Sequence, residues 1–506
     1  MLNVVVSGES YSHIGQLSVD GKWRWDGASW LPVVPRPLPR WLNRRLTRQA
    51  TWPTLAAAVV VGLVADQALR VGTFGLGASA TLALIVLALV FAGRIGSFES
   101  RVLAGASVLF AAWLTLRASP WLLWPDLAMA FALIGLAASV AIRGSLLDIG
   151  IAEAAARSIH AFVHGMTGAG FAIQPLMRAR NRIGMIAPVA RGALIAAPIA
   201  TLVAVLLAAA DPVFASFFNL SLDFNQLTLD VLFIAAGALV AAGLLRLAAA
   251  EPLSRVDGPA WRLGSIEGLV VLAVLDTVFA AFALAQAIAA TGAAGDTLRA
   301  AGVTYADYAR SGFFQLLWVA GITAIVLILF SRITSLTGPT TKKAFQVLSL
   351  VAIGLTLVVV YVAFQRLRLY EDAYGFTMLR LYSHIFAVWI ALIFLLLAAD
   401  FAGLFRRRRW LVAATSMSAM AVLLALNVVN PESIVVSLNL DRAQATHKID
   451  AQYLATLSND ATGALLNSTL PDIRRLACGG PHSYSVTPAA FNWSDATAAT
   501  SRRAPC

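Results

Sequence analysis

The chain has 506 residues, of which 59% are hydrophobic and only 13% charged, with a formal net charge of +12 and a mean hydropathy of +0.77. Soluble domains carry about 25% charged residues, so the composition excludes an ordinary soluble enzyme and points to a polytopic membrane protein. The positive charge needs no nucleic-acid partner, because cytoplasmic loops of membrane proteins collect Lys and Arg.

Residues 1–50 are polar, basic and Trp-rich, without a cleavable signal pattern. Two Asp-Gly pairs, Asp20-Gly21 and Asp26-Gly27, flank the run Lys22 to Trp25. Asp-Gly favours the type I′ turn, whose central residues need positive φ. The pattern predicts a small three-stranded β-meander with Trp23, Trp25 and Trp30 as its core. The stretch "RWDGASW" resembles the short Trp-Asp-Gly-Trp module catalogued as domain of unknown function 2510. That resemblance implies either a structural cap or a module that docks a protein partner, with "PVVPRPLP" as an adjoining polyproline segment.

A helix needs about 20 apolar residues to cross a bilayer. About eleven segments qualify: 52–70, 74–93, 101–117, 121–142, 188–210, 227–249, 264–290, 312–331, 344–364, 383–402 and 410–429. With the N-terminus cytoplasmic, the inner loops hold most Lys and Arg, including the run Arg406 to Arg409. Removing one span would put that run outside, so the positive-inside rule supports this count and an outer C-terminus. The expected fold is therefore an all-α polytopic membrane protein. Its divisions are a cytoplasmic module and linker (1–50), a transmembrane bundle (51–429) and a small helical extracytoplasmic tail (430–506). The excess of Arg and Ala points to a bacterial plasma membrane.

Polar residues inside spans are costly and mark chemistry or packing. Asp276 falls near the middle of the seventh span, with Gln286 further along a neighbouring face, and Asp66 lies in the first span. Each must be protonated, paired or wet; a relay and a packing hydrogen bond both remain open. On the inner loop 143–187, His160 and His164 have the i, i+4 spacing that suits a metal. They lack the Glu of H-E-x-x-H, so no metal and no cofactor is assigned. The same loop reads as an amphipathic helix, with Leu146, Ile149, Ile151, Ala155 and Ile159 opposite Glu153 and Arg157.

Between the ninth and tenth spans stands "YEDAYGFTMLRLYSHIF". Gly375 is expected to break the helix, so that Arg366 and Tyr370 end one helix while Arg380 and His384 begin the next. Glu371 and Asp372 would neutralise the arginines. Two other outer segments share this character: "AADPVFASFF", with Asp211, and "TYADYARSGFFQLLW", with Tyr305, Tyr308 and Arg310. Together with Tyr374, Arg380 and His384 they compose a candidate outer site.

In the tail, Asn430-Pro431-Glu432 is a strong helix start, and further helices are expected near Asp450 and Ser458. Few apolar anchors follow Gly479, so a loose end is expected there. Cys478 and Cys506 would face an oxidising side, where either a disulfide or two free thiols is allowed.

"ADPVFASFF", "TYADYARSGFFQL", "YEDAYGFTMLRLYSHIFAVWIAL" and "NPESIVVSLNLDRA…KIDAQYLATLSNDATGALL" together resemble the bacterial integral-membrane family catalogued as domain of unknown function 4173, over about residues 188–470. The resemblance implies a multi-pass fold with these motifs outside, and no assigned activity. Its motif positions here are Asp211, Pro212, Tyr305, Tyr308, Arg310, Gly312, Phe313, Tyr374, Gly375, Arg380, Asn430, Pro431, Asn439, Asp450, Tyr453 and Leu454. The sequence departs from it after Gln286, where "ATGAAGD" replaces an aromatic-Gly-Gly turn.

Three functions stay open. The first is binding or moving an anionic envelope lipid or precursor. The second is an enzyme acting on such a molecule, against which stands the absence of any catalytic motif. The third is a scaffold or sensor joining the tail to the Trp module. The bilayer itself is the one partner required, and oligomeric state is not encoded.

Overall fold

The computed structural model describes residues 23–25, 29–32, 46–141, 167–179, 224–250, 262–289, 312–404, 410–484, 486–503 and 506, with single positions between 153 and 210. The chain divides into two units, Met1–Arg45 and Leu46–Cys506. In the first unit, strands Trp23–Trp25 (β1) and Trp30–Pro32 (β2) pair antiparallel, with Trp25 opposite Trp30. The third strand of the expected meander falls outside the described residues.

The second unit is helical, as the hydropathy requires. Its helices are α1 (Trp52–Val71), α2 (Leu76–Phe91), α3 (Phe98–Leu116), α4 (Pro120–Ser139), α5 (Gly168–Ala172), α6 (Gln174–Ala179), α7 (Phe224–Ala249), α8 (Ser265–Ile288), α9 (Phe313–Ile333), α10 (Pro339–Tyr374), α11 (Met378–Phe401) and α12 (Trp410–Val429). The tail adds α13 (Pro431–Thr446), α14 (Ala451–Leu454), α15 (Thr462–Leu466), α16 (Pro471–Cys478) and α17 (Trp493–Arg502). Among the described residues, nine helices are long and apolar enough to cross a membrane. The chain is thus an all-α, multi-span membrane protein.

Two spans differ from the sequence reading. The segment expected over 74–93 forms a helix of only 16 residues, because Gly75 starts it late and it stops at Phe91. The ninth expected span, 344–364, is part of a helix of 36 residues. At 1.5 Å per residue α10 is about 54 Å long, well beyond the roughly 30 Å hydrocarbon core. Its polar end continues the helix because Arg, Leu, Gln and Glu are good helix formers, and it stops only at Gly375, at φ +82°. The fifth expected crossing, 188–210, lies mostly outside the described residues, as does the run Arg406 to Arg409.

The apolar side chains form two separate clusters in the bundle. One joins α1 to α4, Phe171 of α5 and the end of α7; the other joins α8 to α11. Helix α12 touches both, through Leu423 in the first and Leu411 in the second. In the first cluster α1 crosses α7 closely at Gly62 and Gly237. A Cβ on Gly62 would stand 2.5 Å from the Ile234 carbonyl oxygen, so only glycine permits the approach.

The bundle has two ends. At one, Thr47 N donates to the Ala249 oxygen (2.9 Å), Gly96 N to the Ala141 oxygen (2.9 Å) and Leu263 N to the Ile333 oxygen (2.9 Å). The tail packs on the other. There Leu76 N donates to the Phe491 oxygen at 2.8 Å, and α14, α15 and α16 enclose a small core of Val436, Leu454, Leu465 and Ile473. The residues after Gly479 are not a loose end. Helix α17 buries Ala498 and Ala499 and is anchored by a polar group as well: buried Arg502 donates to the Ala477 oxygen (2.6 Å), Asn459 Oδ1 (2.6 Å) and Thr462 Oγ1 (3.0 Å). Cys478 and Cys506 are joined by a disulfide, with Cα atoms 5.6 Å apart. Closing a loop of that length stabilises the tail by roughly 3 to 4 kcal/mol.

Between α4 and α5, Glu153 and Arg157 are helical and buried and pair at 2.9 Å, and Arg157 also reaches the Ser139 oxygen. They are therefore not the wet face of a surface helix. An ion pair one turn apart satisfies both groups away from water.

Candidate functional site

The turn between α10 and α11 is held by the tail. Asn439 on α13 accepts from Phe376 N (3.0 Å) and donates to the Phe376 oxygen (2.8 Å). Arg442 donates to the oxygens of Asp372 (3.2 Å) and Ala373 (2.9 Å), satisfying the last carbonyls of α10. Tyr453 Oη accepts from Met378 N at 2.6 Å. A Cβ on Gly375 would lie 2.8 Å from Asn439 Oδ1, so the clasp and the positive φ both demand glycine.

Within that turn, Arg380 lies over the Tyr370 ring at 4.3 Å and donates to the Gly375 oxygen. His384 Nδ1 faces Glu371 Oε1 at 3.1 Å, and its ring meets Phe364 edge-on at 4.4 Å. The buried Glu371 therefore pairs with the histidine and not, as expected, with an arginine. Asp372 and Tyr374 are exposed. His384 Nε2 has no hydrogen-bond partner among the described residues.

The tail also clasps α4. Asp460 Oδ1 accepts from Ala118 N and Oδ2 from Ser119 N, each at 3.0 Å. Glu432, 1% exposed, accepts from Ser119 Oγ (2.6 Å), Ser458 N (2.8 Å) and Ser458 Oγ (2.7 Å). Asn492 donates to the Arg117 oxygen at 2.8 Å, closing the end of α3. Between these two clasps opens a cleft of about 440 Å³, lined by Trp121, Met378, Leu379, Glu432, Tyr453 and Leu457 among others. Trp121 stacks at 5.3 Å against Tyr382, whose hydroxyl donates to the Trp121 oxygen.

Burial raises the Glu432 carboxyl above the ordinary glutamate range. Hydrogen bonds from Ser119 and Ser458 partly offset this, and neighbouring Asp460 adds to it. A folded-state pKa above the unfolded one means the folded protein holds the proton more tightly. Its contribution to stability is full below the unfolded value and is lost as pH rises through the folded one. Tail docking is therefore expected to tighten, not loosen, as pH falls from neutrality toward the carboxylate range. Limited proteolysis of the tail across pH measures this, and Glu432→Gln should flatten the profile. A Gln variant that titrates like the parent would assign the effect elsewhere.

The structure brings Tyr374, Arg380 and His384 to one end of the bundle with Asn439 and Tyr453. Asp211, Tyr305, Tyr308 and Arg310 lie outside the described residues, as do His160 and His164. Asp66 is not a free acid: Arg70 Nε donates to both its oxygens at 3.0 and 2.9 Å, and Arg70 also pairs with Asp230 on α7. Asp276 is 8% exposed on the α8 face that carries Gly268, Leu272 and Phe279, and neither of its oxygens has a hydrogen-bond partner among the described residues. Gln286, ten residues further along α8, is half-buried. Sequence reasoning missed Asp126, fully buried on α4, which accepts from Asn427 Nδ2 of α12 at 2.7 Å. It also missed the roles of Glu432, Asp460 and Asn492. Glu432 was legible as a helix-start acid, but its partner on the α3–α4 turn was not.

A bundle of apolar helices with a polar, disulfide-linked cap on one end defines a multi-span membrane protein rather than a soluble or peripheral one. The chain belongs to the family described as Domain of unknown function (DUF4153), which matches residues 104–468. This overturns the resemblance to domain of unknown function 4173, and domain of unknown function 2510 does not match at the N-terminus. The quoted motifs were short aromatic and charged strings at helix ends, which different multi-pass families can share. No curated protein and no solved structure matches the chain.

Proposed function

We propose that the protein binds, and in doing so presents or moves, an anionic envelope lipid or lipid-linked precursor at the tail-capped end of the bundle. One observation carries this reading. Arg380 is half-buried, next along α11 from the cleft-lining residues Thr377 to Leu379, and among the described residues its guanidinium makes a single hydrogen bond, to Gly375. A guanidinium has five donors. The nearby carboxylate of Glu371 is committed to His384, so the cation is left for an external anion. The apolar and aromatic lining of the cleft suits the hydrocarbon adjoining such a headgroup.

The same reading takes eleven crossings, a cytoplasmic N-terminus and an outer tail in a bacterial plasma membrane. Helix α1 ends at the tail end and α3 begins at the other, which supports a crossing by α2. Arg178 bonds the Ala50 oxygen at one end while Arg70 pairs with Asp230 at the other, which supports one more crossing between α6 and α7. The arginine-rich end would face the cytoplasm.

Mass spectrometry of lipids retained by the purified full chain tests the proposal. Arg380→Ala is expected to lower retention of an anionic lipid by about ten-fold, the order expected for losing a charge-assisted hydrogen bond. Arg380→Lys should retain part of it, because lysine keeps the charge without the fork. Unchanged retention in a folded Arg380→Ala protein would refute it.

One observation favours a second reading, an enzyme on the same ligand. A histidine oriented by a carboxylate through Nδ1, with Nε2 uncommitted, is arranged as a general base. Conversion of the retained lipid that stops in His384→Gln, with binding intact, would select that reading; the absence of any conversion would dismiss it.

A further inference from the structure

At the end of the bundle away from the tail, a second cavity of about 220 Å³ opens at the start of α1. It is lined by Arg48, Gln49, Thr51, Thr54, Arg94 and Phe171 with their neighbours, and among the described residues no carboxylate lines it. We propose that this cavity holds the phosphate group of a membrane lipid.

The cations are set up for an oxyanion. Arg48 Nη1 donates to the oxygens of Gly93 (3.1 Å) and Arg94 (2.9 Å), which fixes the guanidinium and leaves Nε and Nη2 uncommitted among the described residues. Arg94 is exposed and sits at φ +49°, a conformation that non-glycine residues rarely take. The Arg48 bond to the Arg94 carbonyl holds that strained turn, so one cation of the pair positions the other. Two arginines lining one concavity, with no acid among its described lining residues, suit a phosphate by charge and by fork geometry.

The surroundings choose a lipid over a soluble phosphate. Phe91 and Phe98 flank the Arg94 turn and are 76% and 80% exposed, and Trp52 at the start of α1 is 56% exposed. Large aromatic side chains left bare beside arginines are placed for the membrane interface, where ring faces meet glycerol and upper acyl chain. A diester phosphate between Arg48 and Arg94 would lay its glycerol backbone on Phe91 and Phe98. This site is independent of the tail-end reading, because it shares no residue with it.

The test uses the full chain, with phosphatidylglycerol, phosphatidylcholine and inorganic phosphate as probes in native mass spectrometry. The parent is expected to retain one phosphatidylglycerol in preference to phosphatidylcholine, and inorganic phosphate should not displace it at matched concentration. Arg94→Gly is the informative variant, since glycine accepts φ +49° and removes the charge while relieving the backbone. It should keep its thermal stability and lose about ten-fold in phosphatidylglycerol affinity. Phe91→Ser with Phe98→Ser should erase the advantage of lipid over inorganic phosphate. Arg380→Ala should leave this site untouched, so failure here and failure at the tail end are told apart. Full phosphatidylglycerol retention by Arg94→Gly overturns the proposal, and so does equal displacement by inorganic phosphate.

Discussion

Asp460→Ala is expected to cost about 3 kcal/mol of tail stability, because it strands two backbone N–H groups at the start of α4. Each oxygen of Asp460 serves a different donor, Ala118 N and Ser119 N, and the pocket around them is closed to water at Ser119. Asparagine is not a rescue. It offers one acceptor and turns an amide donor toward the other N–H, so Asp460→Asn should recover only part of the loss. Amide hydrogen exchange at Ala118 and Ser119, read with proteolysis of the tail, measures the effect. Parent-like protection in the Ala variant would show that this carboxylate does not secure the tail.

Asp276→Leu should act in the opposite direction. An acid at the middle of a membrane helix costs about 2.5 to 3.5 kcal/mol to place there, and neither oxygen of Asp276 recovers this through a hydrogen bond among the described residues. Leucine on the face shared with Leu272 and Phe279 would pack with the α8–α11 cluster. Resistance of the bundle to unfolding in detergent is expected to rise by roughly 2 to 3 kcal/mol. Asp276→Asn should fall between the two, being polar without an ionisable proton. A stabilised variant that has lost its cellular phenotype would mark the acid as kept for function. A destabilised Leu variant would mean that the carboxyl holds a partner.

Hydropathy made the helices legible, since a span is a local average over about 20 residues. Its errors fall where the average is blind to chain geometry. It lengthened α2 past the glycine that starts it. It ended the ninth span at residue 364, because an apolar average stops where the polar residues begin, although the helix itself runs on to Tyr374. The break at Gly375 was legible, since glycine is the residue that tolerates φ +82°. The clasp on it was not. Asn439, Arg442 and Tyr453 look like ordinary surface residues of short helices until the fold sets them against the turn. In the same way nothing local pairs Glu432 with Ser119 or Asp126 with Asn427, which lie hundreds of residues apart. The family was misread for a related reason. Aromatic and charged strings at helix ends satisfy interfacial physics shared by many membrane proteins, so they discriminate poorly among families.

Residues 484 to 492 touch the oldest parts of the chain: Phe491 bonds Leu76, and Asn492 closes α3. A ribosome delivers those partners in reverse order of need. The early helices must wait, their ends open, until the final segment has emerged. A nascent chain halted anywhere before that point therefore leaves the ends of α2 and α3 without these hydrogen bonds.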